Sequence, residues 1–148
     1  MTIKFHSTSG SARRAAGVAG AAVLLAGLGV GLAQPAEAGS AFGCTTHAAY
    51  PYRHNVTEVD YSGSVTCTSG KYALVVTITD EYFKHTSDTN PTWTGPIPKH
   101  TCGYGSIKSC SVSSNNQPFF GSGEYCTVTQ AIDEGEGSIP AARTCTVY

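Results

Sequence analysis

Six cysteines carry the most legible chemistry in this 148-residue chain: Cys44, Cys67, Cys102, Cys110, Cys126 and Cys145. Their even number suits pairing, and a catalytic thiol would leave one partner over. No two are spaced C-x-x-C, the arrangement of zinc knuckles and redox dithiols. They read as three disulfides, and disulfides form and persist in oxidising compartments. His47, His54, His85 and His100 fall in the same part of the chain, but nothing in their spacing makes them converge on a metal. There is no G-x-S-x-G elbow, no H-E-x-x-H pair and no Walker loop. The reading is therefore of a protein that is not an enzyme, with no catalytic residue, no metal ligand and no cofactor.

Residue types suited to binding are easier to find. Pro96, Ile97, Pro98, Lys99, His100 and Thr101 lead into Cys102. Prolines stiffen such a segment, a disulfide would tether it, and Lys99 could enter a trypsin-like pocket as a substrate-like inhibitor does. Trp93, the single tryptophan, precedes it, and Pro118, Phe119, Phe120 and Gly121 form another candidate tip. Exposed rings of this kind stack on sugars or anchor protein partners, although rings near loops also cap thin cores. Asp133, Glu134 and Glu136 crowd one turn. Calcium favours oxygen clusters on flexible loops, but a polar hairpin tip is the simpler reading. Asn55-Val56-Thr57 fits a glycosylation sequon and equally a turn.

These residues need a scaffold, and the chain divides in two. Lys4, Arg13 and Arg14 precede a weakly apolar run over 15–33, followed by Pro35 and Ala36-Glu37-Ala38. Positive start, apolar middle and small residues before a cut make 1–38 a signal helix, cleaved after Ala38, with a bacterial composition. Five glycines inside the run weaken the alternative of a retained membrane span. The remaining domain, 39–148, holds six basic and nine acidic residues, spread along its length. That balance offers no phosphate-binding patch, so nucleic acid is not expected as a partner, and no later run could enter a membrane.

Positions 59–68 alternate strictly: Val59, Tyr61, Gly63, Val65 and Cys67 against Asp60, Ser62, Ser64, Thr66 and Thr68. Period two with one apolar face marks a half-buried strand. Ser69-Gly70-Lys71 reads as a turn into a β-branched strand over 72–79, so the two are expected as a hairpin. Weaker strands are predicted over 107–113, 124–132 and 143–148, and long loops over 83–100 and 113–123. In 124–132, Cys126, Val128 and Ile132 share one face, with Tyr125 and Ala131 on the other. No stretch after Gly39 has a helical period. The expected core is Tyr61, Val65, Leu74, Val76, Ile78, Val112, Val128 and Val147.

Six cysteines allow fifteen pairings. Symmetry about turns favours Cys102–Cys110, Cys126–Cys145 and Cys44–Cys67. The alternative is a cross-sheet Cys67–Cys126 bridge of the kind used by immunoglobulin-like domains, though Tyr125 stands one residue before Cys126 rather than two. The expected fold is thus all-β, a small antiparallel β-sandwich open to an immunoglobulin-like architecture. The expected function is that of a secreted, extracellular, monomeric binding or structural module whose partner is a protein or a carbohydrate. A protease inhibitor acting through Lys99 and a small hydrolase are the alternatives.

Overall fold

The computed structural model describes residues 38–148, so the predicted signal segment lies outside the described residues apart from its last position, Ala38. Ten strands follow in chain order: β1 (Ser40–Ala41), β2 (Cys44–Ala48), β3 (Tyr52–Arg53), β4 (Glu58–Lys71), β5 (Leu74–Phe83), β6 (Trp93–Thr94), β7 (Lys99–Cys102), β8 (Ile107–Pro118), β9 (Glu124–Asp133) and β10 (Gly137–Val147). There is no helix among the described residues, and hence none long and apolar enough to cross a membrane. The strands form two five-stranded antiparallel sheets. In the first, β4 is central, with β2 and β3 along one edge, β1 outside β2, and β8 along the other edge. In the second, β5 is central, with β9 then β10 on one side and β6 and β7 on the other.

The alternation that predicted a strand over 59–68 is realised in β4, where Val59, Tyr61 and Val65 are buried. They meet Leu74, Val76, Ile78 and Tyr82 of β5, so side chains from both sheets fill one interior. Gly63 sits on the same inward face because nothing larger fits. A Cβ there would lie 2.2 Å from Thr129 Oγ1 and 2.7 Å from Ile78 Cγ2, well inside contact distance.

The expected hairpin between 59–68 and 72–79 does not form. β4 pairs with β2, β3 and β8, while β5 pairs with β6, β7 and β9. The chain turns a corner at Lys71–Leu74 and passes from one sheet to the other. Ala73 is fully buried in that corner and Lys71 nearly so. The Lys71 ammonium lies 3.2 Å from Asp133 Oδ2 and also contacts Glu136, which ties the end of β4 to the β9–β10 turn.

Strand β9 is turned over relative to expectation. Tyr125, Thr127, Thr129 and Ala131 face inward, and Ile132 is 45% exposed. Val128 is half-buried on the outer face, and Val147 of β10 is exposed there. The reason lies in sulfur. Cys126 and Cys145 are cross-strand neighbours on the outer face, where their bridge packs beneath Phe83. Thr127 and Thr129 occupy inward places that hydrophobicity alone would not give them. Val112 packs against both halves of the interior, as expected of a core residue, but is only partly buried.

All six cysteines are paired: Cys44–Cys67, Cys102–Cys110 and Cys126–Cys145. The turn-symmetric pairing holds, and the Cys67–Cys126 alternative is absent because those residues belong to different bridges. Cys44–Cys67 joins β2 to β4 within the first sheet, and Cys102–Cys110 joins β7 of the second sheet to β8 of the first. Three disulfides in one small domain accord with an oxidising, extracellular setting.

Candidate functional site

The rings singled out in the sequence come together, but as a plug rather than a platform. Phe119 stacks on Tyr125 at 5.3 Å and meets Tyr148 edge-on at 5.8 Å. Phe120 stacks on Tyr82 at 4.9 Å and touches Trp93 at 5.2 Å. Tyr125 is fully buried beneath them, its hydroxyl accepting from the Phe120 amide and donating to the Gly121 carbonyl. Arg53 covers the outer side of Phe119, 4.1 Å from the ring centroid. Trp93 and Phe119 are half-buried, whereas Phe120 keeps 44% of its surface exposed. The predicted 113–123 loop shrinks accordingly, since β8 continues to Pro118 and only 119–123 turns.

Lys99 is exposed, but it opens strand β7 and pairs with Thr77 of β5. The predicted 83–100 loop is thus interrupted by β6 and closed by β7. The acidic turn has its own occupant. Hydrogen bonding to Glu136 leads in raising the Lys71 pKa, with Asp133 adding to it and burial working against it. Burial pushes Asp133 up, but the Gly135 amide and Lys71 outweigh it and hold the carboxyl below its ordinary value. Two of the three turn carboxylates are thereby matched to one ammonium. Asn55 Oδ1 accepts from both the backbone amide and the hydroxyl of Thr57 at 2.8 and 2.9 Å, which makes the sequon an Asx turn.

A trough of about 750 Å³ opens on the outer face of the first sheet. Register explains how it is built. His47 of β2 lies opposite Ser64 of β4, which lies opposite Ser111 of β8. One step along, Ser62 faces Ser113. Pro98, Lys99 and His100, beside the edge of β8, complete the lining. The trough runs across β2, β4 and β8, about 10 Å over two strand spacings, and reaches β7 of the other sheet beyond them. Hydroxyls and imidazoles line it and no carboxylate does; Lys99 borders it, with its side chain on the face of Thr77, where it also borders a cavity of about 280 Å³.

The catalytic potential of that lining is low. His47 Nε2 lies 3.2 Å from Thr66 Oγ1, not near a serine. Among the described residues neither His47 nor His100 has an acidic partner, and the histidine–carboxylate pair His54–Asp60, at 3.5 Å, stands outside the trough. A nucleophile needs a hydrogen-bonded base, and that base an orienting group. A second cavity of about 370 Å³ lies on the outer face of the second sheet, lined by Glu81, Phe83, Asp88, Glu124 and Arg143 among others.

Sequence reasoning placed Lys99 at a site but missed His47, Ser62, Ser64, Ser111 and Ser113. The serines of 59–68 were visible as a polar face; what was hidden is that β2, β8 and β7 complete it. No protein-family model matches this chain, and no curated protein matches it.

Proposed function

We propose that the chain is exported, loses residues 1–38, and acts outside the cell as a disulfide-stapled β-sandwich that binds rather than catalyses, with the hydroxyl-lined trough as its binding face. The trough carries this reading: four serines and two histidines share a cleft that holds no carboxylate, with Lys99 at its border. Hydroxyls donate and accept, so such a surface suits a polyhydroxylated ligand, and Lys99 adds a preference for one that is neutral or acidic. A saccharide is the favoured ligand class. The rings of Trp93, Phe119 and Phe120 support the reading only indirectly, by stabilising the domain that carries the trough.

The test is retention of the monomeric protein on a panel of insoluble neutral and acidic polysaccharides. Wild type should be retained on at least one, and the double variant His47→Ala with Lys99→Ala should not be, while keeping its melting temperature. Absence of retention across the panel, or retention unchanged in the double variant, would dismiss the trough as a saccharide site.

One observation favours the inhibitor reading: Lys99 is exposed and Cys102, three residues on, is bridged to Cys110. Against it, Lys99 is held in a sheet rather than presented on a protruding loop. Trypsin inhibition lost on Lys99→Ala would restore that reading.

A further inference from the structure

The acidic cavity on the outer face of the second sheet is chemically the opposite of the trough. Phe83 and Glu124 are cross-strand neighbours, and so are Glu81 and Cys126. The loop over 84–92 folds above them and brings Thr86, Asp88 and Thr89 to the rim. Three carboxylates therefore line about 370 Å³ against one guanidinium, that of Arg143. Arg143 is already engaged. Its Nε lies 3.5 Å from Glu81 Oε2, its Nη2 donates to Cys126 Sγ at 2.9 Å, and it lies over the Phe83 ring.

Glu124 is the informative residue. It is 92% buried, with 8% of its surface left, yet its carboxylate has no hydrogen bond and no ion pair. Register directs it to the outer face, where it lines the cavity, and its oxygen reaches within 4.8 Å of both Cys126 and Cys145 sulfurs. Asp88 has one oxygen accepting from the His85 amide at 3.0 Å and the other free. The Glu124 oxygens are not sealed off, since they are absent from the buried polar atoms that lack a partner, so a nearly buried carboxylate with no cation of its own chain opens into the cavity and is placed to receive a cationic ligand.

Size decides which cation. A calcium ion needs six or more oxygens at roughly 2.3–2.6 Å. Among the described residues, the triads of ligating groups gathered within 4.8 Å all include disulfide sulfurs, and none joins Glu81, Asp88 and Glu124. The cavity volume instead falls within the range of small-molecule sites, about 300–1,000 Å³. Phe83 and Pro91 add apolar wall beside the carboxylates. We infer that this cavity is a binding site for an organic primary ammonium, with Glu124 and Asp88 taking the charged head and the threonine hydroxyls its remaining protons. Such a group is carried by free diamines and by lysine side chains of a partner protein, and the two share this chemistry.

The experiment is an NMR titration of the full disulfide-bonded domain with 1,5-diaminopentane, with Nα-acetyl-lysine methylamide and, separately, with calcium chloride. At least one amine should shift the backbone amides of 84–92 in a saturable way, and the stronger of the two identifies the source. Glu124→Gln should weaken that amine at least roughly tenfold, and Asp88→Asn, a gentler change at a half-exposed position, should weaken it in the same direction. No saturable shift with either amine would overturn the proposal, as would binding indifferent to both substitutions. Calcium that binds through Glu124 and displaces the amine would make the cavity a metal site instead and overturn it equally.

Discussion

The half of the interior around Val65, Leu74, Val76 and Ile139 is closed by sulfur and charge, whereas the half around Tyr61, Tyr82 and Tyr125 is closed by stacked rings. In the first, Cys44–Cys67 lies inside the packing, Cys102–Cys110 joins the two sheets beside it, and Lys71 meets Asp133 at its end. In the second, no disulfide crosses, and the hydroxyls of Tyr61, Thr127 and Thr129 are buried without a partner, as are both oxygens of Asp80. One half is constrained in the unfolded chain as well as the folded one. The other has no disulfide within its packing, its nearest covalent tie being Cys126–Cys145 on the outer face of β9 and β10.

That difference predicts where truncation hurts most. Tyr125→Ala should destabilise the domain by roughly 3–5 kcal/mol, because it removes a fully buried ring that touches Tyr82, Phe119 and Tyr148. Urea denaturation measures it directly. A loss below about 1.5 kcal/mol, the range of ordinary substitutions, would mean that the rings are ornament and the bridges hold both halves.

The paired substitution Cys44→Ala with Cys67→Ala comes next. The bridge spans a sequence separation of 23 residues, and the chain-entropy model assigns a loop of that size about 3.5 kcal/mol. The folded variant should keep the near-ultraviolet circular dichroism of its tyrosines, since the ring half contains neither cysteine. Loss of that signal at temperatures where the variant is still folded would show that the two halves are not separately held.

Much of the first half was legible in the sequence. Strict alternation located β4, and turn symmetry paired the cysteines, because both signals are local. Ser69-Gly70-Lys71 shows where locality ends. The same turn residues serve a hairpin and a corner between sheets, and only the distant Asp133 and Glu136 show that Lys71 belongs to a corner. The ring half was harder. Thr127 and Thr129 scored as polar yet face inward, while Cys126 and Val128 scored as apolar yet face outward, so the choice of face for β9 came out reversed. Nothing local records that Phe83 builds a second apolar patch outside. The candidate sites were the least legible. The trough takes residues from four strands, and the acidic cavity joins Glu81 and Asp88 to Glu124 and Arg143, which meet only once β5, β9 and β10 are in register.

The smallest expected effect has the opposite sign and bears on the unpaired polar groups. Asp80 has no exposed surface, and burial pushes its pKa up to about 6. The Ser114 hydroxyl works in the other direction, though neither carboxylate oxygen receives a hydrogen bond of ordinary geometry. Around it stand Tyr61, whose own pKa is raised first by burial and then by Asp80, and Thr127, its cross-strand neighbour. A carboxyl whose folded pKa exceeds its unfolded one binds its proton more tightly when folded. Its favourable contribution is complete below about pH 4 and is lost as pH rises through 6, a difference of roughly 3 kcal/mol for a shift of about two units. Asp133, held low, acts oppositely and loses its contribution as pH falls below about 4. Wild type should therefore be most stable between about pH 4 and 6. Asp80→Asn should flatten the decline from pH 5 to 7.5 and raise stability at neutral pH. If the thermal midpoint of wild type does not fall over that interval, or if the asparagine variant falls in parallel, then Asp80 is compensated by a partner such as buried water, and the contrast between a satisfied half and an unsatisfied one disappears.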